Sequence, residues 1–112
     1  MKETDLQKQL ACKFTEAGYG RLWINDNGLA FHRIGNEYKG FKYGLGTGSS
    51  DLIGFTKIND QAVFTAIEVK LPGKHPTLIQ ENYLSMVEMN GGIAGVARCW
   101  KDVEELIKKA RQ

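Results

Sequence analysis

Apolar positions near the start of the chain recur at Leu6, Leu10, Phe14 and Ala17, with Cys12 at the margin. That near-helical period predicts a helix over roughly Thr4 to Ala17, stopped by Gly18 and Gly20. Arg21 to Ile24 reads as a short strand, Asn25-Asp26-Asn27-Gly28 as a turn, and Leu29 to Ile34 as the return strand of a hairpin. Gly35 to Ser50, rich in Gly, Lys and aromatics, reads as a long loop of the kind that carries function in a small domain. Asp51 to Thr56 and Ala62 to Leu71 read as two strands joined through a turn at Lys57 to Gln61. The second is the most apolar stretch of the chain. Pro72-Gly73-Lys74-His75-Pro76 breaks it and leads into a helix over about Pro76 to Met89, with Ile79, Tyr83, Met86 and Val87 on one face and Asn90-Gly91-Gly92 as its stop. Ile93 to Cys99 predicts another strand. Asp102 with Glu105 forms a capping-box pattern for a last helix, Val103 to Ala110. The order helix, strands, helix, strand, helix implies an α/β fold with a mixed β-sheet flanked by helices.

Chemistry enters where this pattern is violated. Glu68 and Lys70 share one face of the apolar strand, with Ala66 and Phe64, while Val69 points into the opposite layer. A carboxylate on an otherwise apolar face is costly unless it is paired or ligates a metal. With the hairpin turn centred near Asn59-Asp60, Asp51 falls opposite residue 68, give or take about two residues. Two carboxylates then meet where the Gly-rich loop arrives, a set of oxygen ligands suited to a hard divalent cation. Mg²⁺ or Mn²⁺ held by Asp51 and Glu68 would neutralise a phosphate oxygen and acidify a water. Lys70 would position that water or offset charge on phosphorus. Gln80, on the first turn of the next helix, could orient either group. Glu3, at the start of the first helix, could add an outer carboxylate.

Together these residues resemble the three motifs of the PD-(D/E)xK nuclease superfamily: Gly48-Ser49-Ser50-Asp51-Leu52, then Ala66-Ile67-Glu68-Val69-Lys70, then Gln80. The closer resemblance is to its virus-type replication-repair nuclease branch, the VRR-NUC domain. That branch is similar in having a Glu at the first helix (here Glu3), a Gly-rich approach to the Asp, and a late segment like Gly91-Gly92-Ile93-Ala94-Gly95-Val96-Ala97. The resemblance runs from about Glu3 to Ala110 and looks like a stand-alone domain of the kind phages encode. It implies a restriction-endonuclease-like core over residues 1–112 as one domain. It also implies a Mg²⁺- or Mn²⁺-dependent deoxyribonuclease, a homodimer, and branched DNA such as four-way junctions as substrate. Asp51, Glu68, Lys70 and Gln80 would be catalytic, with Asp51, Glu68, the Val69 carbonyl and Glu3 around the metal. Two departures stand out. Ser50 replaces the Pro of the name, and Trp23-Ile24-Asn25 stands where the branch often has an Arg-Asn pair, leaving that Arg without a counterpart.

Each motif also has a plainer reading. Thr77-x-x-Gln80 is a capping-box pattern, and Glu3 suits the positive end of a helix. Gly44-x-Gly46-x-Gly48 lacks the Gly-Lys-Ser/Thr ending of a phosphate loop, so it reads as close backbone approach beside the site. Arg33, Lys39 and Lys42, interleaved with Tyr38, Phe41 and Tyr43, are the DNA-contact candidates, as against a solvated loop whose aromatics pack on the core or a dimer partner. Ser49, Lys74 and His75 are further contact candidates, and the plainer reading of His75 is a cap for the following helix.

The totals constrain the rest. A chain of 112 residues fits one domain and can bury roughly 65% of its unfolded surface. The formal net charge is only +2, so a nucleic-acid surface must concentrate positive charge on one face. Cys12 and Cys99 belong to no CxxC pair or Cys/His cluster and read as buried thiols of a reducing compartment. The opening Met-Lys-Glu-Thr-Asp has no leader-like apolar run, and no stretch approaches the ~18 apolar residues of a membrane span, so a cytoplasmic protein with no membrane partner is expected. Two rivals stand beside the nuclease: a non-cleaving protein that binds DNA structures on the same fold, and an interaction subunit whose sheet charges are merely paired.

Overall fold

The two-residue turn Asn59-Asp60 organises the sheet. Both residues take positive φ (49° and 66°), the backbone of the turn that matches strand twist, and one that Asn and Asp tolerate. The computed structural model describes residues 1–112, the side chains of Phe41 and Tyr43 excepted. From the turn, β4 (Leu52–Ile58) and β5 (Gln61–Val69) pair antiparallel from Ile58↔Gln61 to Leu52↔Ile67. β1 (Gly20–Ile24) adds antiparallel to the other edge of β4. A crossover through α2 (Leu78–Met89) brings β6 (Ile93–Ala97) parallel to β5, giving the order β1-β4-β5-β6.

The period-2 pattern of β5 separates two apolar layers. Ile67 and Val69, with Leu22 and Leu52, pack on Leu6, Leu10 and Phe14 of α1 (Glu3–Glu16) and on Val103 and Ile107 of α3 (Trp100–Ala110). Ala66 and Ala94 face the other way, onto Leu84 and Val87 of α2. Between β4 and β5 a buried hydroxyl pair, Thr56 and Thr65 at 2.6 Å, satisfies two side chains that the apolar layer could not otherwise accommodate. The α/β architecture and the mixed sheet are those the pattern predicts.

Several local expectations are overturned. Arg21–Ile24 and Leu29–Ile34 do not form a hairpin: Leu22 is buried under α1, and the Asn25 amide donates to the Asp51 carbonyl (2.7 Å), which commits β1 to β4. The expected long loop contains a strand. β2 (Gly28–Ile34) pairs antiparallel with β3 (Glu37–Tyr43) through Gly35-Asn36, from Ile34↔Glu37 to Gly28↔Tyr43. This β2–β3 arm forms its own two-stranded sheet and, among the described residues, packs closely on no other element. It stretches the molecule to 56 × 33 × 28 Å and its radius of gyration to 15.7 Å, against about 13 Å for a compact chain of this length.

The predicted buried face of α2 is rotated. Leu84 and Val87 are buried, Tyr83 is half-buried, and Ile79 and Met86 are exposed. α3 starts at Trp100, with Cys99 as N-cap, and Asp102 accepts from the Arg98 amide (2.8 Å) instead of opening a capping box. Both thiols are exposed, Cys12 donating to Glu16 on a solvent-facing turn of α1.

Candidate active site

Continuing the β4–β5 register one step beyond Leu52↔Ile67 sets Asp51 opposite Glu68. A tight hairpin permits no slippage without turning every apolar side chain of β5 outward, so the pairing is fixed by the whole strand. Asp51 is half-buried, and its Oδ2 accepts a hydrogen bond from the Val69 amide at 2.9 Å. That bond aims the Asp51 carboxylate at the end of β5.

The loop delivering Asp51 is braced by two asparagines. Asn25 Nδ2 donates to Ser49 Oγ (2.8 Å) and to the Ser50 carbonyl (2.9 Å), and Asn27 Nδ2 donates to Ser49 Oγ (2.7 Å). Ser49 Oγ donates in turn to the Gly46 carbonyl (2.6 Å), and the Gly46 amide donates to Asn27 Oδ1 (3.2 Å). Gly48, at φ +86°, lies so close to Ile79 of α2 that any side chain there would collide with it. A glycine is therefore required where the loop meets the first turn of α2.

Glu68 is the anomaly of the site. It is only 1% exposed, and neither Oε1 nor Oε2 has a hydrogen-bond partner. Burial, first, and the neighbouring Asp51 carboxylate, second, push its pKa up to about 8, while Lys70 pulls in the opposite direction. An unsatisfied buried carboxylate of this kind is costly and calls for a partner. The groups at hand are Asp51, Glu68 and the main chain at the end of β5, which are hard oxygen donors that fit a divalent cation of the Mg²⁺ or Mn²⁺ type. Among the described residues no group of three or more His, Cys, Asp or Glu side chains converges. Glu3, half-buried on the first turn of α1, is therefore not gathered with Asp51 and Glu68.

Lys70 follows β5 and is half-buried, its amide donating to the Ala97 carbonyl (3.1 Å). Because β5 and β6 are parallel with Val69↔Ala97 in register, the next step sets Arg98 beside Lys70. The Arg98 guanidinium donates to the Lys74 carbonyl (2.7 Å) and lies 3.5 Å from His75 Nδ1. Lys70, Lys74 and Arg98, with His75 beside them, thus form a rim of basic residues where β5 and β6 end. Gln80 Oε1 accepts from the Thr77 amide (2.8 Å), and Thr77 Oγ1 accepts from the Gln80 amide (3.2 Å), a complete capping box. The Ser49 hydroxyl, expected at DNA, is engaged in bracing the loop. Lys39 and Lys42 are exposed on the arm. The part of the DNA-contact expectation that falls on the Phe41 and Tyr43 side chains lies outside the described residues.

Asn25, Asn27 and Arg98 were not among the residues singled out in the sequence. The asparagines read there as turn formers, and Arg98 acquires its neighbourhood only through the parallel register.

A mixed sheet whose central hairpin ends in two facing carboxylates, with a lysine two positions after the second, defines a nuclease of the PD-(D/E)xK type. The VRR-NUC domain family model matches residues 1–100, and the chain belongs to that family. A search of curated proteins finds no match.

Proposed function

We propose that the protein is a divalent-metal-dependent endonuclease that hydrolyses DNA phosphodiester bonds, acting as a homodimer on branched DNA such as four-way junctions. The observation that carries this reading is Glu68, a buried carboxylate with two unpartnered oxygens facing Asp51. Asp51, Glu68 and the Val69 carbonyl would hold Mg²⁺ or Mn²⁺. Bound there, the cation supplies charge neutralisation at a phosphate oxygen and acidification of a water.

The chain's own groups do the rest. The Val69 amide fixes the orientation of Asp51. Lys70, on the face of Glu68, places a positive charge where the phosphate must sit and offsets the negative charge that grows on it during attack. Lys74 lies on the same rim and contacts the flanking backbone, while Lys39 and Lys42 reach phosphates further along the strand. Gln80 holds the start of α2 against the site and leaves its amide nitrogen to the substrate. One such site cuts one strand, so symmetric cleavage of a junction requires two subunits about a two-fold axis. Among the described residues, no helix is long and apolar enough to cross a membrane.

The test is cleavage of a panel of four-way junction, flap, nicked, duplex and single-stranded DNA with Mg²⁺, Mn²⁺ or EDTA, for wild type and Glu68→Ala side by side. Metal-dependent cutting that is lost in the variant is the expected result, with the junction cut fastest. Binding without cutting in any metal would replace the enzyme with a DNA-structure binding protein.

A further inference from the structure

The β2–β3 arm is the least explained part of the molecule. Its register divides it into two faces: Leu29 with Lys42, Phe31 with Gly40, and Arg33 with Tyr38 share one. Ala30, His32, Lys39, Ile34 and Glu37 belong to the other. On the first face Phe31 and Leu29 lean across Gly40, and the Arg33 guanidinium lies 6.0 Å from the Tyr38 ring centroid. Phe31 and Tyr38 are 66% and 69% exposed. A hairpin standing alone in water is marginal, and apolar rings left on its surface call for a partner.

Charge says which partner. The chain carries 15 Lys and Arg against 13 Asp and Glu. Three of those cations (Arg33, Lys39, Lys42) and one of those anions (Glu37) lie on the arm, so the other twelve of each cancel and the whole net charge of +2 resides there. The one carboxylate of the arm is on the opposite face, so the aromatic face is cationic only. Cations alone would serve a duplex backbone. Two exposed rings add something a duplex cannot use, because its base faces are already stacked, whereas an unpaired base offers a free π-face. The arm also grows out of the catalytic loop. Leu29 and Lys42 of this face, with Asn27, Gly46 and Thr47, line a cleft of about 280 Å³ at the arm's root. Seven residues of strand extend about 23 Å from that root.

We propose that the Leu29–Phe31–Arg33–Tyr38–Lys42 face is a recognition surface for a DNA strand with unpaired bases, stacking bases on Phe31 and Tyr38 and holding phosphates with Arg33 and Lys42. This rests on the nuclease reading and sharpens it: the arm selects substrates that expose bases some nucleotides from the cut, while the sheet edge does the chemistry.

Fluorescence anisotropy in EDTA, where nothing is cut, tests it with a single-stranded oligonucleotide and a duplex of equal length. Phe31→Ala/Tyr38→Ala should weaken single-strand binding at least about fivefold and leave duplex binding unchanged. Phe31→Ile/Tyr38→Ile, which keeps apolar bulk and strand preference but removes both π-faces, should do the same and guards against a misfolded arm. Arg33→Ala/Lys42→Ala should weaken both forms and flatten the salt dependence. Equal losses on both forms from the ring variants would overturn base stacking. Unchanged DNA binding, with a dimer turned to monomer in sedimentation, would give the face to a second copy of the chain and overturn the proposal. If wild type binds but no arm variant changes anything, the proposal alone falls; if wild type binds no DNA, the nuclease reading falls with it.

Discussion

The end of the central hairpin and the β2–β3 arm are both pairs of antiparallel strands closed by two-residue turns, yet they are held by opposite means. β5 is buried from Thr65 to Val69 between two helical layers, and its register is enforced by every side chain it buries. The arm, among its described side chains, buries none of them and is held by its own ladder. The first arrangement can impose an unfavourable environment on one residue, and it does so at Glu68. The second can impose nothing, but it can present rings and cations to a large ligand. On the proposed reading, catalysis falls to the rigid part of the chain and substrate reach to the detached one.

The sharpest way to break that comparison is a pair of phenylalanine truncations. Phe14, fully buried between α1 and the sheet, should cost about 3–5 kcal/mol when changed to Ala. Phe31→Ala should stay within about 0.5 kcal/mol, as at a surface site. Urea unfolding of both variants decides it, and comparable losses would show that the arm is packed on something in solution.

The next largest effect concerns Glu68 itself. In the metal-free protein its pKa of about 8, against an ordinary 4.5, means that the folded state keeps a proton that the unfolded chain releases. Its contribution to stability is complete below about pH 4.5 and is lost as pH rises through about 8. Glu68→Gln removes that liability. Thermal unfolding in EDTA should show the variant more stable than wild type at pH 8, with a flatter slope toward acid, while cleavage falls by about 10²-fold or more. Added Mg²⁺ should stabilise wild type and leave the variant nearly unmoved. Altered stability with undiminished cutting would reduce Glu68 to a structural group.

The smallest expected effect sharpens the boundary between the two regions. Asn25→Ala removes two side-chain hydrogen bonds that brace the loop before Asp51. It should cost about 1–2 kcal/mol and lower kcat while DNA affinity holds. A change confined to affinity would place Asn25 at the substrate rather than behind Asp51.

What was legible in the sequence follows from how local each signal is. Asn59-Asp60 is a turn that needs no distant partner, and counting outward from it sets Asp51 opposite Glu68 as the observed ladder does. The capping reading of Thr77-x-x-Gln80 was available from four residues and is seen in full. The strand at Glu37–Tyr43 was hidden because its glycine and lysines resemble a loop, and with the described side chains of the arm left unburied there is no buried face to impose an apolar alternation.

The sequence by itself determined the helices, the central hairpin, the facing carboxylates and the family, because turn chemistry and apolar period act over a few residues. Tertiary structure alone decided that β1 joins β4 and leaves β2 to form an arm, that Cys12 and Cys99 face solvent, that Arg98 stands beside Lys70, and that Glu68 is sealed from water without a partner. Those outcomes depend on which surfaces distant segments cover, and burial, unlike period, is not a property of the segment that suffers it.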